Sequence, residues 1–378
     1  GIDSLLGGLD IAGAPASGGA GGGAPKRPRD SAPNAHGGDA KAPHQAHVKA
    51  TAQERRAAKK SKMSALKKNF NIIQDAAQLW EALRPKDKSA EEKQELVEQI
   101  LGKINGKIME LANHHTASRI IQFCAKSGTP AQRDAIMAEV RGSMVELSKT
   151  KYGHHFVQRV IALAKKDEIP GIIMVFKGKV AQLLRHPYGA DVLTDLYDAA
   201  STSQRNTLCS EFYGREYVLF DGVTKQAAGL ARLAQLLDGA PPAKRRAVYQ
   251  HMTKSLTPVL EKAILHPPMV HRLLRDFLEC APSMSVEDAV DTLSQAGTDV
   301  LKMVHTHDGA AATCMLLAYG SAKDRKRLIK ATKGHVHDMA VNEWGHAVLC
   351  TALSVVDDTA LVAKTVVAEL KAMLAEAV

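Results

Sequence analysis

The residues best suited to chemistry in this 378-residue chain are small polar sets that recur along it, the clearest being Ser118, Arg119 and Gln122. On a helix of 3.6 residues per turn, positions i and i+4 share a face and i+1 lies beside them. Ser118 and Gln122 can therefore pinch the edge of one base while Arg119 stacks between two. His154, His155 and Gln158 keep the amide and can stack through His155. Ala190, Asp191 and Thr194 have lost the amide and put a carboxylate where a base or phosphate would approach. Met269/Val270/Leu273, Ala310/Ala311/Cys314 and His346/Ala347/Cys350 offer no base-reading groups. A bidentate base contact is worth roughly 1–3 kcal/mol, so one or two full sets cannot specify a long site. Lys149, Lys151, Arg159, Arg185 and His186 stand at or just before the same helix starts. There they can reach phosphates and bind whatever the base sequence.

These sets sit at fixed places in a repeat. Ala117, Gly153 and Gly189 are 36 residues apart in turn, as are Gly309 and Gly345, and each is read as a small-residue turn between two apolar runs. Pro268 takes the same place in a copy between them, and a degenerate copy with its second run at Gln226 to Leu237 fills the interval after Gly189. Pro130-Ala131-Gln132-Arg133, Thr202-Ser203-Gln204-Arg205, Pro241-Pro242-Ala243-Lys244-Arg245 and Ser321-Ala322-Lys323-Asp324-Arg325 open the preceding helices as caps or first turns. Seven copies fit between about Ser89 and Val355, an eighth starts near Asp358, and Phe70 to Lys86 forms a leading helix over the first copy. Such a unit cannot bury its own apolar face, so the units stack on a shared core. Alternating β-branched runs and Asn-Gly turns are lacking, so the expected fold is all-α.

The Tyr-Gly phrase at Tyr152-Gly153-His154-His155-Phe156-Val157-Gln158, with its 36-residue period over residues 70–378, resembles the pumilio (PUF) repeat family. Glu146 to Tyr152, Glu211-Phe212-Tyr213-Gly214, Val304 to Ala310 and Gly320 to Lys326 are similar to its divergent nucleolar branch, Puf-A. The resemblance implies a right-handed α-solenoid of pumilio-type repeats, in a longer, L-shaped array of which this sequence would be a part. It also implies RNA or DNA binding with little sequence preference, in the nucleolus, on large-subunit pre-rRNA and alongside pre-ribosomal assembly factors or ribosomal proteins. Two alternatives remain open: a regulator that reads a defined mRNA element, and a protein-interaction solenoid.

The net charge of +10 divides unevenly. Residues 1–70 hold 12 Lys/Arg against 5 Asp/Glu, or +7, which leaves +3 for the remaining 308 residues. Eleven of the 28 glycines fall in the first 40 residues and no aromatic precedes Phe70. Residues 1–69 are therefore expected to be a disordered tail, because they cannot bury enough surface to offset chain entropy. Lys26, Arg27 and Arg29 form one basic cluster in it, and Arg55, Arg56, Lys59, Lys60 and Lys62 a second; both look like nuclear-targeting or nucleic-acid-contacting segments.

Other chemistries find little support. The pairs His114/His115, His154/His155, His305/His307 and His335/His337 lack a zinc-site spacing. Gly102 to Lys107 lacks the spacing of a phosphate-binding loop, and there is no Gly-x-Ser-x-Gly elbow. The five cysteines are too widely spread for a disulfide framework, which fits a reducing compartment, and no run of eighteen apolar residues is present. The reading is a binding scaffold rather than an enzyme, with no metal, cofactor, membrane or small-molecule substrate implied.

Overall fold

The computed structural model describes residues 69–83, 89–214, 217, 232–280 and 297–376. The basic clusters at Lys26–Arg29 and Arg55–Lys62 lie outside the described residues, as does the first half of the degenerate run from Gln226 to Leu237. Among the described residues every regular element is helical, and the repeats form an α-solenoid. A helix over 69–83 precedes the first repeat and begins one residue before Phe70. It buries Ala76 and Leu83 against the core, with Ile72, Ile73 and Trp80 packed alongside. Asn69 Nδ2 donates to Glu110 Oε2 at 2.8 Å.

Each complete repeat has a first helix, a short helix and a second helix. In repeat 1 these are Ala90–Ile104, Ile108–Leu111 and His115–Ser127. The first helices of repeats 1, 2, 4 and 7 start where Ser or Thr is followed three residues later by Glu, Gln or Asp. Capping boxes form at Ser89/Glu92, Thr129/Gln132, Ser201/Gln204 and Ser321/Asp324, satisfying two N-terminal N–H groups apiece. Arg205, Arg245 and Arg325, four residues after their N-cap positions, reach back eight residues to the carbonyls of Tyr197, Leu237 and Leu317. They close the C-terminal end of the preceding repeat, a favourable place for a cation.

The first helices of repeats 1, 3 and 7 end on a glycine with left-handed backbone: Gly106, Gly178 and Gly334, with φ of 70°, 76° and 83°. In all three joints a carboxylate from the next repeat takes two backbone N–H bonds across the turn. Glu139 accepts from Gly106 N at 3.0 Å and Ile108 N at 2.7 Å. Glu369 accepts from Gly334 N at 2.7 Å and Val336 N at 3.3 Å. Glu211 accepts from Gly178 N, and from Val180 N at 3.0 Å. Burial nevertheless pushes the Glu211 carboxyl up, the backbone donors offsetting only part of that cost.

The second helices stack in a row: His115–Ser127, Gly153–Leu163, Pro187–Ala199, Pro268–Cys280, His307–Tyr319 and Gly345–Val355. The first five present a buried i, i+1, i+4, i+5 stripe, for example Ile120, Ile121, Cys124 and Ala125, or Val192, Leu193, Leu196 and Tyr197, and the last keeps Val348, Leu349 and Ala352 buried but exposes Leu353. A fully buried Leu or Ile contributes roughly 1.5–3 kcal/mol, so the row is the energetic spine of the array.

The glycines at 36-residue spacing have a different role from the one expected. Gly153, Gly189, Gly309 and Gly345 lie in the first turn of the second helices, and none has positive φ. What they supply is space. A Cβ on Gly189 would lie 2.6 Å from Leu183 O, one on Gly345 2.8 Å from Met339 O, and one on Gly309 would collide with Met303 O. In every case the obstructing carbonyl is six residues earlier, at the end of the short helix. Gly189→Ala should therefore cost about 2–3 kcal/mol of unfolding free energy. Gly102→Ala, inside a helix with nothing within 4 Å of its Cβ, should gain about 0.5–1 kcal/mol. Urea denaturation of the two variants checks the contrast.

Candidate nucleic-acid interface

Close approach at the second-helix N-termini dictates what the predicted sets can reach. In repeat 1, Ser118 is 2 % exposed, and its Oγ donates to Tyr152 O at 2.9 Å while accepting from Gln122 Nε2 at 3.0 Å. The two pinching residues thus bond each other and the next repeat, leaving Arg119 as the exposed member of the set. In repeat 2, His154 is buried, its Nδ1–H donates to Thr150 O at 2.8 Å, and its ring stacks on Tyr188 at 4.5 Å and 11°. Burial first, and His155 beside it, hold its pKa below the usual value. His155 is exposed and bonds Gln158 Oε1 through Nδ1 at 3.2 Å. Ala190 and Ala310 are buried in the equivalent first positions.

Repeat 5 requires a correction of register. The expected set Met269, Val270 and Leu273 is wholly buried. Its second helix begins at Pro268, as those of repeats 3 and 6 begin at Pro187 and His307, so Val270 and not Pro268 occupies the place of Gly189 and Gly309. The set facing the row is then His271, Arg272 and Arg275, and it is committed internally. Arg272, 5 % exposed, donates to Asp276 Oδ2 at 2.8 Å and Asn206 Oδ1 at 3.1 Å, and Tyr213 Oη donates to the same Asp276 oxygen at 2.9 Å. Burial disfavours the guanidinium charge, but the Asp276 carboxylate more than offsets it and raises the Arg272 pKa. Arg275 pairs with Glu279 at 2.7 Å and Asp308 at 3.0 Å. A two-residue slip flanked by apolar residues is hard to see in sequence. The parallel His186-Pro187 and Pro267-Pro268 phrases were the available signal.

Of the basic side chains expected near phosphates, Lys151 and Arg159 are exposed, with the Lys151 ammonium 5.3 Å from the centre of the Tyr152 ring, but Arg159 lies in the middle of the helix Gly153–Leu163 and not at its start. Lys149 bonds Glu146 at 2.7 Å. Arg185 and His186 are half-buried, and Arg185 Nε and His186 Nδ1 are buried with no hydrogen-bond partner. Burial, then Lys262, then Lys149 depress the His186 pKa. Lys262 therefore joins this group from the far end of the first helix of repeat 5, where its Nζ donates to Arg185 O at 2.7 Å. Sequence reasoning missed it because 77 residues separate the two. Asp191, expected to repel phosphate, instead faces His266 Nε2 at 3.0 Å. Rings tie neighbouring repeats along the same edge: His115 with Tyr152 at 5.4 Å, His154 with Tyr188, and His307 with Trp344 at 4.7 Å.

The chain resembles known proteins over most of this array. The profile of the Pumilio-family RNA binding repeat matches residues 107–141 and 143–174. Pumilio homolog 24 of Arabidopsis thaliana is 35% identical over 332 residues, covering 86% of this chain and 51% of that protein. Pumilio homolog 3 of Homo sapiens is 33% identical over 314 residues, covering 82% and 47%. The chain thus spans about half the length of the curated relatives it matches. The crystal structure of human Puf-A superposes with a TM-score of 0.74 at 32% identity, over 82% of this chain and 59% of that one. The structure of human Puf-A in complex with DNA gives 0.73 at 32% identity, over 82% and 60%. Among the described residues no group of three or more His, Cys, Asp or Glu could hold a metal ion, and no helix is long and apolar enough to cross a membrane.

Two consequences are measurable. His154→Ala removes a stacked ring and a hydrogen bond from a buried position, so it should cost about 2 kcal/mol in urea unfolding while leaving the RNA affinity of the folded protein within about twofold. Arg119→Ala should do the reverse, weakening all RNAs together without changing stability. His271 is fully buried, donates from Nε2 to Leu265 O at 2.7 Å and accepts at Nδ1 from Thr306 Oγ1 at 2.8 Å. Burial first, with His305 and His266 adding to it and Asp308 opposing, lowers its pKa to about 4. The unfolded chain therefore takes up this proton first on acidification. Stability supplied by neutral His271 is complete above about pH 6.5 and falls by up to about 3 kcal/mol as the pH drops to about 4. Denaturation midpoints across that window, flattened in His271→Gln, check this.

Proposed function

The chain belongs to the pumilio repeat family, and from that premise we propose that it binds RNA, and DNA as well, with little sequence preference, as a nucleolar scaffold on large-subunit pre-rRNA. One observation carries the reading. Along the row of second helices the first of the positions that would read base edges is buried in repeats 1, 2, 3, 5 and 6, with His346 of repeat 7 exposed, while cations and rings near the helix starts remain accessible. Ser118, His154, Ala190 and Ala310 lie inside, as does His271 in the corrected register, whereas Arg119, Lys151, His155 and Arg159 reach solvent. Such a surface recognises phosphates and stacked bases, which every sequence offers.

The solved complex of human Puf-A with DNA supports an extension beyond RNA. The Lys/Arg clusters between Lys26 and Lys62 support nuclear import and loose phosphate contact. Pre-ribosomal assembly factors or ribosomal proteins are the protein partners proposed with this role. Binding of a PUF-consensus RNA, a scrambled RNA and a structured rRNA segment, compared over a salt series, tests the proposal. Affinities should agree within about tenfold (~1.4 kcal/mol) and fall steeply with salt. A hundredfold preference for the consensus would turn the reading into a sequence-specific mRNA regulator. Absence of binding at low salt would leave a protein-interaction solenoid. Removing residues 1–62 should shallow the salt slope and reduce nuclear retention, with unchanged values reducing that segment to a solubilising arm.

A further inference from the structure

The basic group around Arg185, in which Lys149, Arg185 and His186 are half-buried and Lys262 is exposed, is distinct from the exposed cations of repeats 1 and 2. Three separate segments build it: Lys149 before the second helix of repeat 2, Arg185 and His186 before that of repeat 3, and Lys262 after the first helix of repeat 5. Nucleic-acid binding by this face is the premise, and on it we propose that these four side chains form a discrete pocket for one backbone phosphate of the bound strand.

Four observations converge on this. Arg185 Nε and His186 Nδ1 are buried nitrogens with no hydrogen-bond partner, and leaving buried polar atoms unpaired costs free energy that an acceptor oxygen would recover. Lys262 and Lys149 are close enough to depress the His186 pKa, so positive charge gathers at one point, which an anion relieves. Of the nearby carboxylates Asp191 is engaged outside the group by His266 at 3.0 Å, while Glu146 holds Lys149 itself at 2.7 Å, so Lys149 is the one member whose charge already has a partner.

The fourth observation concerns the start of the helix Pro187–Ala199. In repeats 1, 2, 6 and 7 a side chain takes an N–H at that point: His114 from Ala117, Thr150 from Gly153, Thr306 from Gly309 and Asn342 from Gly345. His186 makes no such bond, so the first-turn N–H groups of repeat 3 add to the cations around an anion. Lys262 is held in place by its bond to Arg185 O, and Ala263 beside it takes left-handed backbone with φ of 51°. That conformation is unfavourable for a residue with a Cβ.

The test uses the full chain in two arms. In the first, inorganic phosphate is titrated against chloride at matched ionic strength while the ring signals of His186 are followed by NMR. A saturable shift of His186 with phosphate, lost in Lys262→Gln and retained in Lys262→Arg, is expected; a His186 that does not respond overturns the pocket whatever RNA does. In the second arm a labelled single-stranded RNA is titrated over a salt series. Lys262→Gln should weaken binding about three- to tenfold and lower the slope of log K against log salt by about one, and Arg185→Gln/Lys262→Gln by about two. Lys103→Gln, whose ammonium pairs with Asp75 at 3.2 Å near the leading helix, should leave the slope unchanged. Unchanged slopes in the Lys262 and Arg185 variants, with their thermal unfolding intact, would also reject the pocket. A His186 response to phosphate without any RNA binding would instead retain the anion site and remove the nucleic-acid reading on which its ligand depends.

Discussion

The array depends on one steric constraint, the approach of the second helices of repeats 2, 3, 6 and 7 to a carbonyl near the end of the short helix before them. Six residues separate Gly189 from Leu183 and Gly345 from Met339, and in both joints the space for a Cβ is taken by backbone oxygen. That distance sets how deeply the start of the second helix sits in the repeat. It also brings Tyr152, Tyr188 and Trp344, each one residue before its glycine, against a histidine of the preceding repeat. Helix packing normally tolerates a range of interaxial distances set by side chains. Backbone held against backbone allows far less, so these four repeats keep the same geometry, whereas repeats 1 and 5 carry Ala117 and Val270 at that place.

A second device acts on the opposite joint. Glu139, Glu211 and Glu369 each draw two N–H groups of the previous repeat onto one carboxylate. Hydrogen bonds to a charged group contribute more than neutral ones, roughly 1.5–3 kcal/mol. Arg205, Arg245 and Arg325 do the complementary work at the C-terminal ends of second helices and at Leu237 O. Charged side chains of the folded array thereby serve to join repeats. The exposed cations left near the second-helix starts are few, which suits a surface that grips a backbone rather than one that reads bases.

A good deal of this was legible in sequence, because repetition amplifies weak local signals. The N-terminal starts of several first helices, the leading helix and the 36-residue register of repeats 1, 2, 3, 6 and 7 follow from residue types at fixed spacing. The failures are local and have causes. Gly153 and its equivalents look like turn residues, since sequence cannot distinguish a glycine needed for positive φ from one needed for clearance. The left-handed glycines Gly178 and Gly334 carry no distinguishing sequence signal for the same reason. In repeat 5 the missing glycine allowed the frame to slip by two residues, and Met269, Val270 and Leu273 were aligned where His271, Arg272 and Arg275 belong. Ser118 and His154 have the right chemistry for base contacts, and only their burial reveals that their polar atoms are already bonded.

By itself, then, the sequence determined the class of fold, the length of the unit, the family resemblance and the concentration of basic residues before the array. These depend on periodicity and composition, which act over a few turns of helix and are written locally. Tertiary structure alone decided which polar side chains are consumed by the joints between repeats and which reach solvent. It also decided that Lys262 belongs with Arg185. Burial and pairing depend on what packs across from a residue, and here the partner is often one repeat away and in this case 77 residues away, a distance at which spacing in the chain carries no information.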